Sequence, residues 1–304
     1  MMRFLAAAVW RLAISAAIGL GAVEAASAAS GRLTIESGGV KRTAFVVEHA
    51  RLKRARRPVV VFLHGQSGAG VRVRDRLGLD RAMKSRSVVA VYPDALGGRW
   101  DVSESGSERE LKFVRDLIAK LESDGVADPR RIFIAGGGPG GILAMRLACR
   151  QADKFAGAAS LIALMPTTDA AACKPARPIP FLLLAGTADP KVPFGGGKAE
   201  LPEFKGDVVS AAGTIAPFAT AAGCSDKTTK VDVADRDPND GSRVQVEIAS
   251  GCKAPIALVK IEGGGHTLPG TRPLSDRGQP VGARNGDIDT ARFLMHFFLK
   301  GRAG

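Results

Sequence analysis

The residues that most constrain this chain run from Arg131 to Gly141, R-R-I-F-I-A-G-G-G-P-G. Ile132, Phe133 and Ile134 are β-branched or aromatic and end in glycines, which predicts a buried strand closed by a tight turn. Pro139 then opens a helical pattern in which Ile142, Met145, Leu147 and Ala148 share a face. Strand, sharp glycine turn and helix in that order form the frame in which a G-x-S-x-G elbow presents a nucleophilic serine. Here Gly136, Gly137, Gly138, Pro139 and Gly140 fill the frame, and glycine stands where the serine belongs.

The flanking sequence repeats strand and helix. Arg32–Glu36 and Thr43–Glu48 alternate around Gly38-Gly39, a leading hairpin. Val59–Leu63, Val88–Tyr92, Phe155–Leu164, Ile179–Leu184 and Ala257–Ile261 read as buried strands. Helical patterns span Arg72–Lys84, Glu108–Leu121, Ala211–Ala222 and Ile288–Leu299, and Asp128-Pro129 breaks the chain before the elbow strand. Thr228–Val233 and Val244–Ile248 flank the turn Asp237-Pro238-Asn239-Asp240-Gly241. Apolar strands alternating with helices predict one α/β domain, a mostly parallel sheet covered on both faces, over residues 29–304.

Residues 1–28 read as a signal peptide. Arg3 and Arg11 flank the start of the apolar run Leu12–Val23, and Ala26-Ser27-Ala28 offers a cleavage site. The run is too short to span a bilayer comfortably, and no later stretch is long enough. The expected mature protein is secreted or periplasmic, with no membrane span. In that compartment Cys149, Cys173, Cys224 and Cys252 are expected to form disulfides, of three possible connectivities. Sequence order favours Cys149 with Cys173 and Cys224 with Cys252. No Cys/His cluster has metal-ligand spacing, so neither a metal nor a cofactor is expected.

The formal net charge is +13, and removing Arg3, Arg11 and Glu24 with the leader lowers it to +12. The densest run is Arg51, Lys53, Arg54, Arg56 and Arg57, which carries no interleaved aromatics. With one Tyr and two Trp in the chain, base-stacking platforms are few, and nucleic acid is not the expected partner. The run reads as a solvated face that tolerates anionic polymers.

Three loops follow predicted strands, where open α/β sheets place their sites. His64-Gly65-Gln66-Ser67 follows the first apolar strand, and a His-Gly turn there can aim backbone N–H groups at an oxyanion. Asp189 lies in G-T-A-D-P-K-V-P, positioned to orient a histidine. His266 closes Glu262-Gly263-Gly264-Gly265-His266. Elbow, Asp, His is the chain order of α/β-hydrolase triads.

On these residues the chain resembles the secreted poly(3-hydroxybutyrate) depolymerase and feruloyl-esterase-like branch of the α/β hydrolases. The matching stretches include V-V-V-F-L-H-G, V-Y-P-D, D-P-R-R-I-F-I-A-G, M-R-L-A-C, G-T-A-D-P-K-V-P-F, D-P-N-D-G, G-G-G-H-T-L-P-G and N-G-D-I-D-T. The resemblance extends to the cysteines. It implies a serine esterase whose Asp and His fall on Asp189 and His266, acting on an ester, polyester or cell-wall-type ligand. Three positions depart from the family pattern. Gly138 has no atom to attack a carbonyl. Pro139 has no N–H to give the oxyanion hole, a loss of about 2.7–4 kcal/mol of transition-state stabilisation. Leu268 replaces a tryptophan near His266. The expectation is therefore an impaired esterase. The alternatives are an active hydrolase using Ser67 or a His266-activated water, and a basic module binding polyanions or cell wall.

Overall fold

The protein was analysed as a computed structural model, in which residues 30–48, 56–65, 68–82, 88–271 and 281–301 are described. Residues 1–28, expected to be a signal peptide, and Gln66, Ser67, Arg51, Lys53, Arg54 and Lys84 lie outside them. The chain opens with the hairpin β1 (Gly31–Ser37) and β2 (Val40–Val47), followed by β3 (Arg57–Leu63), α1 (Gly70–Leu77), α2 (Leu79–Ala82) and β4 (Val89–Pro93). Next come α3 (Glu104–Ser123), β5 (Ala127–Gly137), α4 (Pro139–Arg150), β6 (Gly157–Leu161), α5 (Thr167–Ala170) and β7 (Phe181–Gly186). The hairpin β8 (Gly197–Leu201) and β9 (Phe204–Val208) precedes α6 (Ala211–Ala222), β10 (Thr228–Asp232), β11 (Arg243–Ala249), β12 (Ile256–Glu262) and α7 (Thr290–Lys300).

Ten strands form one sheet in the order β1-β2-β4-β3-β5-β6-β7-β12-β11-β10. The six from β4 to β12 pair in parallel, and the outer pairs are antiparallel. Every residue of β3, β4, β6 and β7 is buried, as strands covered on both faces must be. Alternation along β3 sends Val59, Val61 and Leu63 to one core with Leu117, Leu147 and Phe218, from α3, α4 and α6. Val60 and Phe62 face the other, with Leu77, Leu294 and Phe298 from α1 and α7. The chain leaves β3 for β4 on one side and returns to β5 on the other. That strand-order switch puts the ends of β3 and β5 at the crevice where open sheets bind ligands.

The elements depart from the sequence expectations in four places. The helix expected over 72–84 breaks at Gly78, whose φ of 65° is left-handed, into α1 and α2. Asp128-Pro129 does not end a segment: β5 begins at Ala127, and a register shift takes up the proline, with Arg57 opposite Ala127 but Val59 opposite Ile132. The strand expected over 155–164 stops at Leu161. The β8–β9 hairpin, short and polar, had no apolar run to announce it. Arg57, read as part of a solvated basic face, is instead buried and paired with Glu48, while Arg56 is exposed.

Two disulfides, Cys149–Cys173 and Cys224–Cys252, join the pairs favoured by sequence order. They anchor the C-terminal ends of α4 and α6, and closing loops of this length stabilises by about 3 kcal/mol each. Among the described residues no helix is long and apolar enough to cross a membrane.

Candidate active site

The elbow is built by close backbone packing. A Cβ on Gly136 would lie 2.1 Å from the Gly140 carbonyl oxygen, and one on Gly140 would lie 2.4 and 2.5 Å from the Leu63 and His64 oxygens. Both positions therefore exclude every residue but glycine. Gly138 differs. Its φ of 51° and ψ of −123° belong to neither helix nor strand, and a Cβ there would meet nothing nearer than Gly65 Cα at 3.9 Å. The strained turn of a nucleophile elbow is thus present, with space for a side chain and none attached. The Gly138 N–H donates to the Leu161 carbonyl at 3.0 Å, and its own carbonyl accepts from the Gly141 and Ile142 N–H groups. Pro139 occupies the first turn of α4, where its missing N–H leaves no helical bond unmade.

Asp189 and His266 come together across the ends of β7 and β12. The Nδ1 of His266 lies 2.8 Å from Asp189 Oδ2. An ionised carboxylate only accepts, so Nδ1 is the donor of this bond, and in the neutral imidazole that leaves the lone pair on Nε2. The other oxygen, Oδ1, accepts the N–H groups of Lys191 at 2.8 Å and Val192 at 2.9 Å. The two side chains are 2% and 9% exposed for Asp189 and His266, so their hydrogen bond forms largely away from water.

A second strip of chain holds the histidine. The His266 N–H donates to the Val281 carbonyl and the Gly265 N–H to that of Ala283. That strip is pinned in turn by the D-P-N-D-G turn. Asp287 Oδ1 accepts the Arg236 N–H at 2.7 Å, Asn285 Nδ2 donates to Asp287 Oδ2, and Asp240 Oδ2 accepts the Gly286 N–H. Burial opposes the charge on Asp240, but donation from the Ser242 hydroxyl, the Gly286 N–H and the Ser242 N–H outweighs it and lowers its pKa. Two motifs quoted for the resemblance, D-P-N-D-G and N-G-D-I-D-T, thus act here as scaffold for His266.

The remaining candidates divide. Gly65 packs on the elbow, where a Cβ would lie 3.1 Å from the Gly137 oxygen. The His64 side chain does not face a cleft: it is fully buried, Nε2 accepts the Ala95 N–H at 3.1 Å, and Nδ1 bonds the Gly65 carbonyl. Burial lowers its pKa and keeps it neutral. Its own carbonyl accepts the Trp100 indole N–H at 2.9 Å. Leu268 is half-buried and packs against the core that α1 and α7 cover. Gln66 and Ser67 lie outside the described residues. Among those described, no group of His, Cys, Asp and Glu is placed to hold a metal.

Sequence reading missed Ile162. It follows Leu161, the acceptor for Gly138, and its φ of 49° makes it the one non-glycine residue with positive φ among those described. A β-branched residue there is strained. It is held by its N–H to the Leu184 carbonyl at 2.8 Å and by the Ser160 hydroxyl to the Ala163 carbonyl at 2.9 Å. No residue-type signal marks such a position.

A doubly covered, mostly parallel sheet with an elbow after β5, an acid after β7 and a histidine after β12 defines the α/β-hydrolase fold. The acetyl xylan esterase from Aspergillus awamori shares it, with a TM-score of 0.55 at 13% identity over 81% of this chain and 96% of that one. In sequence the chain is 29% identical over 261 residues to NocK of Nocardia uniformis subsp. tsuyamanensis, named as a candidate esterase, covering 81% of this chain and 75% of that protein. It is 28% identical over 192 residues to feruloyl esterase B of Piromyces equi, covering 61% of this chain. It spans about a third, 34%, of that longer protein. No protein-family model matches the chain.

Proposed function

We propose that this is an exported relative of the carboxylic-ester hydrolases, allied to the poly(3-hydroxybutyrate) depolymerases and feruloyl esterases, that has lost the serine route while keeping the acid–histidine half of the site. One observation carries the reading: Gly138 holds the backbone of a nucleophile elbow with no hydroxyl, and Pro139 follows it with no N–H. In the intact arrangement His266 Nε2 would take the serine proton, and Asp189 would stabilise the resulting imidazolium. Without the hydroxyl no acyl-enzyme forms at the elbow, and without the N–H one donor to the tetrahedral oxyanion is gone. Export is supported by the leader-like residues 1–28 and by two disulfides.

The test is fluorophosphonate labelling and p-nitrophenyl butyrate hydrolysis by the mature protein. Neither is expected in the wild type. The double variant Gly138→Ser/Pro139→Asn should label and turn over, and adding His266→Ala should abolish both. Stoichiometric labelling of a wild-type serine would overturn the proposal. A second reading draws on the Nε2 of His266, which has no partner among the described residues: His266 could activate water directly. It requires wild-type hydrolysis that is lost in His266→Ala without any covalent label.

A further inference from the structure

The ten-stranded sheet ends on two edges, and they are built differently. At one end β10 is five residues long and exposed throughout, and its charges are engaged within its own hairpin: Lys230 faces Glu247, and Asp232 accepts from Gln245. A short edge of that kind is blunted against further pairing. At the other end β1 runs seven residues, with Leu33 and Ile35 half-buried on the core that α3 covers. Its charges are spare: among the described residues Glu36 has no ion pair, and Arg32 has only Asp94 at 3.9 Å.

The hairpin fixes which backbone groups of β1 point outward. Gly38 and Gly39, with φ of 61° and 74°, form a two-residue turn closed by Ser37 opposite Val40. The closing pair of such a turn is hydrogen-bonded, and bonded pairs alternate, so Arg32, Thr34 and Glu36 turn their N–H and C=O groups away from β2. The far side of β2 agrees: Thr43, which stands opposite Thr34, accepts the Asp94 N–H at its carbonyl. No described residue bonds the outward groups of β1.

We propose that this edge pairs with a second copy of the chain, β1 antiparallel to β1 about a two-fold axis at Thr34, making a dimer with one continuous sheet. In that register Arg32 stands opposite the second copy's Glu36, and Glu36 opposite its Arg32. Every outward backbone group finds a partner, and Leu33 meets Ile35 at the closer, non-hydrogen-bonded spacing. Centring the pair on Leu33 or Ile35 instead keeps the bonds in phase but sets Thr34 opposite Arg32 or Glu36, and the charges no longer meet. Charge complementarity therefore selects Thr34. The pairing does not depend on the state of the elbow.

The test is sedimentation velocity of the mature protein from about 1 to about 200 µM, the range in which a small interface associates. The mass should rise from monomer towards dimer and stop there. Thr34→Pro removes an outward N–H and no bond to β2, and Arg32→Glu sets like charges opposite each other. Each should raise the dissociation constant about tenfold or more. Arg32→Glu combined with Glu36→Arg restores opposite charges in this register and should recover wild-type association. Both charged side chains are exposed, so these variants test the register even if Thr34→Pro does not fold. A wild type that stays monomeric, a dimer indifferent to the changes at Arg32 and Glu36, or growth beyond the dimer, as β1 pairing with β10 would give, would each overturn the proposal.

Discussion

At the end of β5, Gly136 and Gly140 are held to glycine by carbonyl oxygens 2.1–2.5 Å from where a Cβ would stand, while Gly138 between them has room for one. At the ends of β7 and β12 two polar side chains meet instead: Asp189 bonds His266 while also accepting the Lys191 and Val192 N–H groups. The contrast separates shape from reactivity. The elbow's shape is enforced by Gly136 and Gly140, so Gly138 can lack a side chain with no packing consequence. Asp189 also holds its own loop together, so its persistence needs no catalytic explanation.

Gly140→Ala should have the largest effect. Its methyl would enter backbone oxygens of Leu63 and His64, which belong to the sheet's central strand and its turn, and a loss of about 4 kcal/mol or more is expected. Urea unfolding would show it; a loss below about 1 kcal/mol would mean the elbow is not shape-locked. Asp189→Ala should follow at about 3 kcal/mol, because it strands two partly or fully buried N–H groups, against about 1 kcal/mol for His266→Ala. Equal losses in the two variants would remove the structural account of Asp189. Gly138→Ala should cost about 1–2 kcal/mol, all of it backbone strain at positive φ.

The smallest expected effect sharpens the scaffold around His266. The Asp240 pKa is lowered in the fold, so its contribution is present above the unfolded carboxylate range and fades as pH falls through the lower folded value. Asp240→Asn should therefore cost about 1 kcal/mol near pH 7 and less near pH 3. Chemical denaturation at both pH values measures the narrowing, and a pH-independent gap would refute it.

Much of this was legible in the residues. Val59–Leu63 and Phe181–Leu184 announce themselves because a strand buried on both faces must be apolar throughout. The meeting of Asp189 with His266 is foreshadowed by the glycine-rich turns that follow such strands. What stayed hidden depends on partners far along the chain. The Arg42–Glu110 pair, 2.7 Å apart and almost fully buried, joins residues 68 positions apart, and nothing local distinguishes either from a surface charge. The β8–β9 hairpin has no apolar run, because only Ala199, Leu201 and Val208 are buried in it. The break at Gly78 is hidden because the polar and basic helical stretch runs on past a glycine that the fold turns left-handed.

Ile162 gives the elbow a history. A positive φ on a branched side chain is a standing cost that every folded molecule bears, on the order of 1–3 kcal/mol. On the proposal that no reaction occurs at Gly138, nothing in catalysis maintains that cost, and relatives lacking the serine are expected to shed it by carrying glycine at this place.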